Sequence, residues 1–150
     1  MGSARYQENP EGSEEYQKME SKSVLIDTSI IIDHLRKKNK SNTIFFKLVS
    51  DNYNLHISAI TLFELLAGAI DAQKLKDIKT TLSFVKILDF DSSSATKASE
   101  LYLQLKKRNR LVDIRDLFIA ASAITQNLPV STLNLKHFQH IPEIIIFNSF

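Results

Sequence analysis

Three carboxylates that interrupt apolar runs are the residues of this sequence best placed to do chemistry. Asp27 follows the apolar residues 24–26, Glu64 lies inside the apolar stretch 59–67, and Asp116 directly precedes another apolar stretch. Burying a lone ionised carboxylate is costly, so each acid needs a partner. Each one alone could cap a helix, pair with a distant arginine or reach solvent. If all three meet at one place, a divalent cation is the natural partner, because Mg²⁺ and Mn²⁺ favour carboxylate oxygens.

The elements that must position these acids follow from the apolar periodicity. Runs typical of buried strands alternate with helical patterns, which predicts an α/β fold with three layers and a central parallel sheet of four to five strands. Right-handed crossovers then place the strand-to-helix junctions, including the one after Asp27, on one edge of the sheet. We expect Thr28 or Ser29 to cap the first helix. The predicted strands are 24–26, 55–58, 85–88, 130–132 and an edge strand 144–147, and the predicted helices are 29–38, 42–50, 59–70, 71–84, 91–108 and 115–126.

Composition excludes several classes of site. The 150 residues contain no cysteine, which removes disulfides and thiolate zinc sites. Only one of the three glycines, Gly68, lies beyond residue 21, so neither a dinucleotide-binding loop nor a Walker A loop is present. No stretch approaches the roughly 18 apolar residues of a membrane helix. The net charge of +2 permits a nucleic-acid partner without requiring one. We therefore expect a soluble, cytoplasmic protein with no membrane partner.

The first 21 residues differ in composition from the rest. They are polar, rich in Glu, Gln, Ser and Gly, and almost free of aliphatic side chains. Such a segment cannot bury enough apolar surface to order itself. We interpret residues 1–21 as a disordered leader or tag and residues 22–150 as one folded domain.

Four motifs, taken in this order and spacing, resemble the PIN-domain family, and within it the VapC toxins of bacterial toxin–antitoxin pairs. The resemblance covers about residues 22–150. The motifs are Asp27-Thr28-Ser29 after a buried strand, Glu64 in a Leu-Phe-Glu-Leu helix, Asp116-Leu117-Phe118-Ile119-Ala120-Ala121, and Ser131-Thr132-Leu133-Asn134 before Lys136-His137-Phe138.

The resemblance implies a metal-dependent endoribonuclease that acts as the toxin of a VapBC-type pair. By similarity Asp27, Glu64 and Asp116 would be the metal-binding and catalytic acids, with Mg²⁺, or Mn²⁺, as cofactor. Carboxylate-held metals suit phosphodiester hydrolysis, since they lower the pKa of a bound water and stabilise the attacking and leaving oxygens. The resemblance also implies an RNA substrate, a cognate VapB-type antitoxin and a homodimer.

The fourth acid of such sites is the point at which this sequence departs from the family pattern. Many members carry an acid after the last internal strand, whereas Asn134 stands there in this chain. Asn134 could ligate a metal-bound water or cap the next turn. Asp113 lies three residues before Asp116, where relatives often have glycine, so it is either a compensating fourth acid or the cap of the next helix. The sequence leaves both alternatives open.

Further residues are candidates for supporting roles. Thr28 and Ser131 flank the acids and could hydrogen-bond a ligand carboxylate or a phosphate, or merely cap. Lys107, Arg108 and Arg115 belong to a basic run that leads into Asp116, and cations beside an acidic pocket suit a phosphate backbone. A solvated helix end is the alternative for that run.

Surface or capping roles are expected for the four histidines, and a surface ion pair for one further acid. Asp33 is expected to form a helix-surface ion pair with Arg36. The four histidines show no metal-binding spacing, and His137 is notable only because it lies near the predicted site.

Two competing functions remain open from sequence. A phosphoacceptor receiver domain also has a parallel sheet with acids at strand ends, and Asp89 or Asp91 would then be phosphorylated. That class expects paired acids after the first strand, whereas Thr28 follows Asp27. The other alternative is a PIN fold that binds without catalysis.

Overall fold

A four-stranded, fully parallel sheet forms the centre of the protein. The computed structural model describes residues 22–148, so the predicted leader at 1–21 lies outside the described residues. The strands are β1 (Ser23–Ile26), β2 (Asn54–Ser58), β3 (Val85–Leu88) and β4 (Val130–Ser131), and their order across the sheet is β3-β2-β1-β4. Because β1 lies inside the sheet, it has a neighbouring strand on each side. Parallel sheets form ligand sites at the carboxyl ends of such strands.

Seven α-helices cover this sheet within residues 22–148. They are α1 (Thr28–Arg36), α2 (Ile44–Ser50), α3 (Ala59–Ala67), α4 (Ala72–Leu82), α5 (Ser92–Lys107), α6 (Ile114–Thr125) and α7 (Leu135–Phe138), with a short 3₁₀ turn at Lys40–Asn42. None of the helices in this part of the chain is long and apolar enough to cross a membrane.

Alternation along β1 divides the core into two clusters, one on each face of the sheet. Leu25 packs with the apolar faces of α5, α6 and α7, while Val24 and Ile26 pack with α1 to α4. All three side chains are fully buried. Strands buried on both faces require helices on both sides, so the predicted three-layer α/β/α fold is confirmed.

Several predicted boundaries were wrong, and three of the differences have a clear local reason. The cap of α1 is Asp27 itself, and the helix begins at Thr28. Helix α3 ends at Ala67 because Gly68 is its C-cap, rather than continuing to Ile70. The predicted strand 144–147 is only a single parallel bridge between Val130 and Ile146, since β4 offers no more than two residues to pair with.

Candidate active site

An acidic pocket of about 510 Å³ opens at the carboxyl end of β1. The acids come from separate elements: Asp27 directly follows β1, Glu64 lies on α3, and Asp116 lies in the first turn of α6. The fold thus brings the three acids of the sequence prediction to one cavity. Eight charged or titratable side chains line it, namely Asp27, Asp33, Glu64, Asp113, Asp116, Arg36, Arg115 and His137.

Asp27 is the most deeply placed of these acids, with a relative exposure of 3%. Both carboxylate oxygens accept hydrogen bonds: Oδ1 from the hydroxyl of Ser29, and Oδ2 from the hydroxyl of Thr132 at 3.0 Å. The backbone N–H of Asp27 donates to the carbonyl of Ser131 at 3.1 Å, in continuation of the β1–β4 ladder. The carboxylate therefore has a fixed orientation.

Burial dominates the electrostatics of Asp27. It raises the pKa of Asp27 to about 6 from 3.8; the hydrogen bonds from Ser29 and Thr132 oppose the rise, and the charge of Asp116 adds to it. The charge of Asp116 thus adds to the cost of ionising Asp27, and a bound cation would offset that cost.

Glu64 contacts α1 through a hydroxyl. The hydroxyl of Thr28 donates to Oε1 of Glu64 at 2.9 Å, and Thr28 Oγ1 lies 3.0 Å from Thr61 Oγ1. Thr61 is fully buried. The sequence prediction that Thr28 could hydrogen-bond an acid of the site agrees with this geometry.

Asp116 is held from the other side of the pocket by His137. The Nδ1 of His137 donates to Oδ2 of Asp116 at 3.0 Å, which joins α7 to α6. Burial raises the pKa of Asp116, while the hydrogen bond and charge of His137 lower it. His137 is therefore exposed, as expected from sequence for a surface residue, and it also hydrogen-bonds an acid of the pocket.

Asp113 is the N-cap of α6. Its Oδ1 accepts from the backbone N–H of Arg115 at 2.9 Å, and the Arg115 side chain is its ion-pair partner. These hydrogen bonds hold the pKa of Asp113 below its usual value. The capping alternative is therefore the observed conformation, although Asp113 also lines the pocket.

The donor set suits a hard divalent cation. Asp27, Glu64 and Asp116 present carboxylate oxygens, the ligands that Mg²⁺ and Mn²⁺ favour. Among residues 22–148, however, no three such side chains already stand close enough to hold a metal ion. The residue types fit the cation, and a binding site would require side-chain adjustment.

Of the remaining residues that were predicted to support the site, some lie at the pocket or contact Asp27, and others lie outside the pocket. Asn134 lines the pocket, and its backbone N–H donates to the hydroxyl of Thr132 at 2.9 Å. Ser131 is buried in β4 and reaches Asp27 through its carbonyl. Lys107 and Arg108 end α5 and do not line the pocket.

Other acids of the sequence prediction also have clear positions. Asp33 lines the pocket and pairs with Lys37 at 3.2 Å, instead of Arg36. Asp91 caps α5, where its Oδ1 accepts from the backbone N–H of Ser94. Neither Asp89 nor Asp91 lines the acidic pocket, so the geometry offers no support for a phosphoacceptor there.

Among the side chains that hydrogen-bond the acids, sequence reasoning missed Ser29, Thr132 and His137. For Ser29 and Thr132 the signal was available, because each neighbours a residue singled out from the motifs. Which of two adjacent hydroxyls faces an acid depends on strand register and turn geometry. For His137 the only signal was its place in the last motif.

Comparison with known proteins agrees with this geometry. The PIN-domain profile matches residues 24–144. The chain is 33% identical over 127 residues to ribonuclease VapC1 of Methanocaldococcus jannaschii, covering 85% of this chain and 86% of the relative. It is 30% identical over 126 residues to the tRNA(fMet)-specific endonuclease VapC of Salmonella typhimurium, covering 81% and 94%.

A solved structure shares the fold over the same region. It is VapBC2 from Rickettsia felis bound to a DNA fragment from their promoter, with a TM-score of 0.75 and 27% identity, covering 85% of this chain and 99% of that one. The family profile includes the elements that carry the acidic pocket, and the relatives cover most of this chain. The chain therefore belongs to the PIN-domain family, and within that family to the VapC ribonucleases.

Proposed function

We propose that the acidic pocket hydrolyses RNA phosphodiester bonds with a bound divalent cation, and that the protein acts as the toxin of a VapBC-type pair. The observation that carries the proposal is the convergence of Asp27 and Asp116 in one pocket, where Asp27 is buried and the charge of Asp116 adds to the rise in its pKa. Mg²⁺ is the expected cation and Mn²⁺ an alternative, since both favour carboxylate oxygens.

Asp27, Glu64 and Asp116 are the proposed ligands and catalytic acids. A bound cation would supply a water of lowered pKa and stabilise charge on the phosphate oxygens. The protein's own contribution is orientation. Hydrogen bonds from Ser29 and Thr132 fix the plane of the Asp27 carboxylate and favour its ionised form.

Cations and amides of the pocket are the proposed contacts for RNA. Arg36, Arg115 and Asn134 line the cavity beside the acids. A guanidinium matches the geometry of phosphate oxygens and would hold a strand against the acids. Lys107 and Arg108 are proposed to extend this contact beyond the pocket. Asp113 is proposed as a supporting acid only if Arg115 leaves it.

The proposed partners come from the relatives. VapBC structures support a VapB-type antitoxin for this chain, and a relative named as a tRNA(fMet)-specific endonuclease supports tRNA as the first substrate to test. We also propose a homodimer and a cytoplasmic location, as the sequence resemblance implies for the first and the composition for the second. Phe46 is 43% exposed and available for such contacts, whereas Phe45 and Leu48 belong to the core.

The test is cleavage of an end-labelled tRNA pool by the purified full chain with Mg²⁺, with Mn²⁺ and with EDTA. We expect cleavage with either metal and none in EDTA. Asp27→Asn should lower the rate about 100-fold or more, because it removes a charge that balances the cation. Asp51→Asn, an exposed acid that ends α2, is the matched control and should cleave at the wild-type rate.

Two results would overturn the proposal. Full cleavage in EDTA would contradict metal dependence. Binding of RNA without cleavage under any metal condition would favour the PIN-fold binding module instead.

A further inference from the structure

Arg115 lies among the acids of the pocket that it lines. Its Nε lies 3.2 Å from Oδ1 of Asp113, and its Nη1 lies 3.7 Å from Oε2 of Glu64. Asp113 caps α6 whereas Glu64 belongs to α3, so one guanidinium bridges two separate elements of the pocket wall. The side chain of Arg115 is 57% exposed, and ion pairs of this exposure are weak. The bridge can therefore open at little cost.

The charges of the pocket indicate why the bridge exists. Two arginines line the pocket against five carboxylates: Asp27, Asp33, Glu64, Asp113 and Asp116. Asp33 has a separate partner in Lys37. Arg115 forms an ion pair with one of the three proposed ligands, Glu64. A positive charge held there opposes the arrival of a divalent cation at the same carboxylate.

We propose that Arg115 is the internal counter-cation of the acidic pocket: it holds Glu64 while no divalent cation is bound, and it turns to an RNA phosphate when one binds. The inference rests on the proposed function. It gives Glu64 a positive partner in a cavity where five carboxylates stand against two arginines. A guanidinium fork suits both roles, since it matches carboxylate and phosphate oxygens alike.

The alternative is an ordinary ion pair at a helix end. In that case Arg115 would only pair with Asp113 at the start of α6, and its removal would have no effect on the affinity for metal. The two readings differ in a quantity that does not require turnover, namely the binding of Mn²⁺ to protein without RNA.

The experiment is a calorimetric titration of the full chain with Mn²⁺ alone. Arg115→Gln should bind Mn²⁺ about three-fold to ten-fold more tightly than the wild type, because it removes a competing charge next to Glu64. Arg115→Lys keeps the charge and should stay near the wild-type affinity. Arg110→Gln makes the same charge change outside the pocket lining and should alter the affinity less than about two-fold.

The RNA half of the inference has its own measurement. At saturating Mn²⁺, Arg115→Gln should raise KM for RNA about three-fold to ten-fold, since the released guanidinium would contact phosphate. One substitution would then tighten the binding of metal and weaken the binding of RNA. Loss of structure does not produce this combination, because it would weaken both.

The results separate this inference from the proposed function. If the wild type binds Mn²⁺ and Arg115→Gln binds it equally or more weakly, the counter-cation role is wrong while the metal site stands. An unchanged KM would overturn the transfer to phosphate. If neither the wild type nor any variant binds Mn²⁺, the proposed metal site and this inference both fail.

Discussion

The hydroxyl of Thr132 donates a hydrogen bond of 3.0 Å to Oδ2 of Asp27, across 105 residues of chain. The loop after β4 is thereby fixed to the carboxyl end of β1. A second bond reinforces it, from the backbone N–H of Leu133 to the hydroxyl of Ser29 at 3.0 Å. The deepest acid of the pocket is thus held by residues from both ends of the domain.

Thr132→Val should move the acid limb of the pH–activity profile upward. The hydroxyl bonds the charged carboxylate, so its loss raises the pKa of Asp27 further above the value of about 6 that burial already gives it. A bond of this kind corresponds to a shift of about one pKa unit. The measurement is kcat/KM between pH 5 and 8. The control is Thr96→Val, which removes an exposed hydroxyl bonded within α5. An acid limb that does not move in Thr132→Val would contradict the prediction.

Asp27 should make the metal-free protein less stable as pH rises. Its folded pKa, about 6, lies above the ordinary 3.8, so the folded state binds the extra proton between these values. The free energy of unfolding should therefore fall from about pH 4 to about pH 6 and then level off, by at most about 3 kcal/mol from this group. Asp116 shifts in the same direction.

Urea denaturation with EDTA, from pH 4 to 7, measures this effect. Asp27→Asn should gain stability relative to the wild type as pH rises through that window, because the amide does not ionise. If the free energies of unfolding of the two proteins differ by the same amount at pH 4 and at pH 7, ionisation of Asp27 carries no such cost.

Mg²⁺ should stabilise the wild type and act more strongly above pH 6. A cation that binds only the folded state raises stability by mass action. Below pH 6 protons compete with it for Asp27, whose burial raises the pKa to about 6. The measurement is thermal unfolding without Mg²⁺ and at Mg²⁺ concentrations raised in 10-fold steps, at pH 5.5 and at pH 7.5. Asp27→Asn should lose most of the shift, whereas Asp51→Asn should keep it.

His137→Ala should lower RNA cleavage about ten-fold with little change in stability. The side chain is 57% exposed, so its removal leaves the core intact, but Asp116 loses the 3.0 Å bond that orients its carboxylate. His137→Asn can still donate and should recover part of the rate. His140→Ala removes a neighbouring histidine with no contact to the acids. Equal rates for the two alanine variants would contradict the role of His137.

Replacing Lys107 and Arg108 with Ala should weaken RNA binding and reduce its salt dependence. Both residues lie at the end of α5, outside the pocket, so only a long-range phosphate contact would give them a role. Loss of two phosphate contacts would lower the slope of log affinity against log salt by about 1.4 for single strands. The matched control is the double variant Lys76→Ala with Lys79→Ala on α4. If the slope is unchanged in the Lys107 and Arg108 variant, these two residues belong to a solvated helix end.

The order of elements and the three acids could be predicted from sequence because their signals are local. A buried strand is apolar on both faces, and an acid such as Asp27, Glu64 or Asp116 is conspicuous inside an apolar run. Parallel strands and right-handed crossovers place the carboxyl ends of β1 and β2, with Asp27 and the helix of Glu64, on one edge of the sheet. Asp116 follows α5 instead of a strand, so the packing of α6 brings it to that edge. The same reasoning could not settle Asp113, whose cap and ligand roles use the same residue type at the same position.

Only the tertiary structure decided which side chains hold these acids. Thr132, and not Ser131, bonds Asp27 because β4 places the Ser131 carbonyl in the sheet and turns the next hydroxyl toward β1. His137 meets Asp116, and Arg115 meets Glu64, because α7 and α3 approach the start of α6 in space. The sequence determined the acids through local burial patterns, whereas partners so distant along the chain depend on strand register and helix packing.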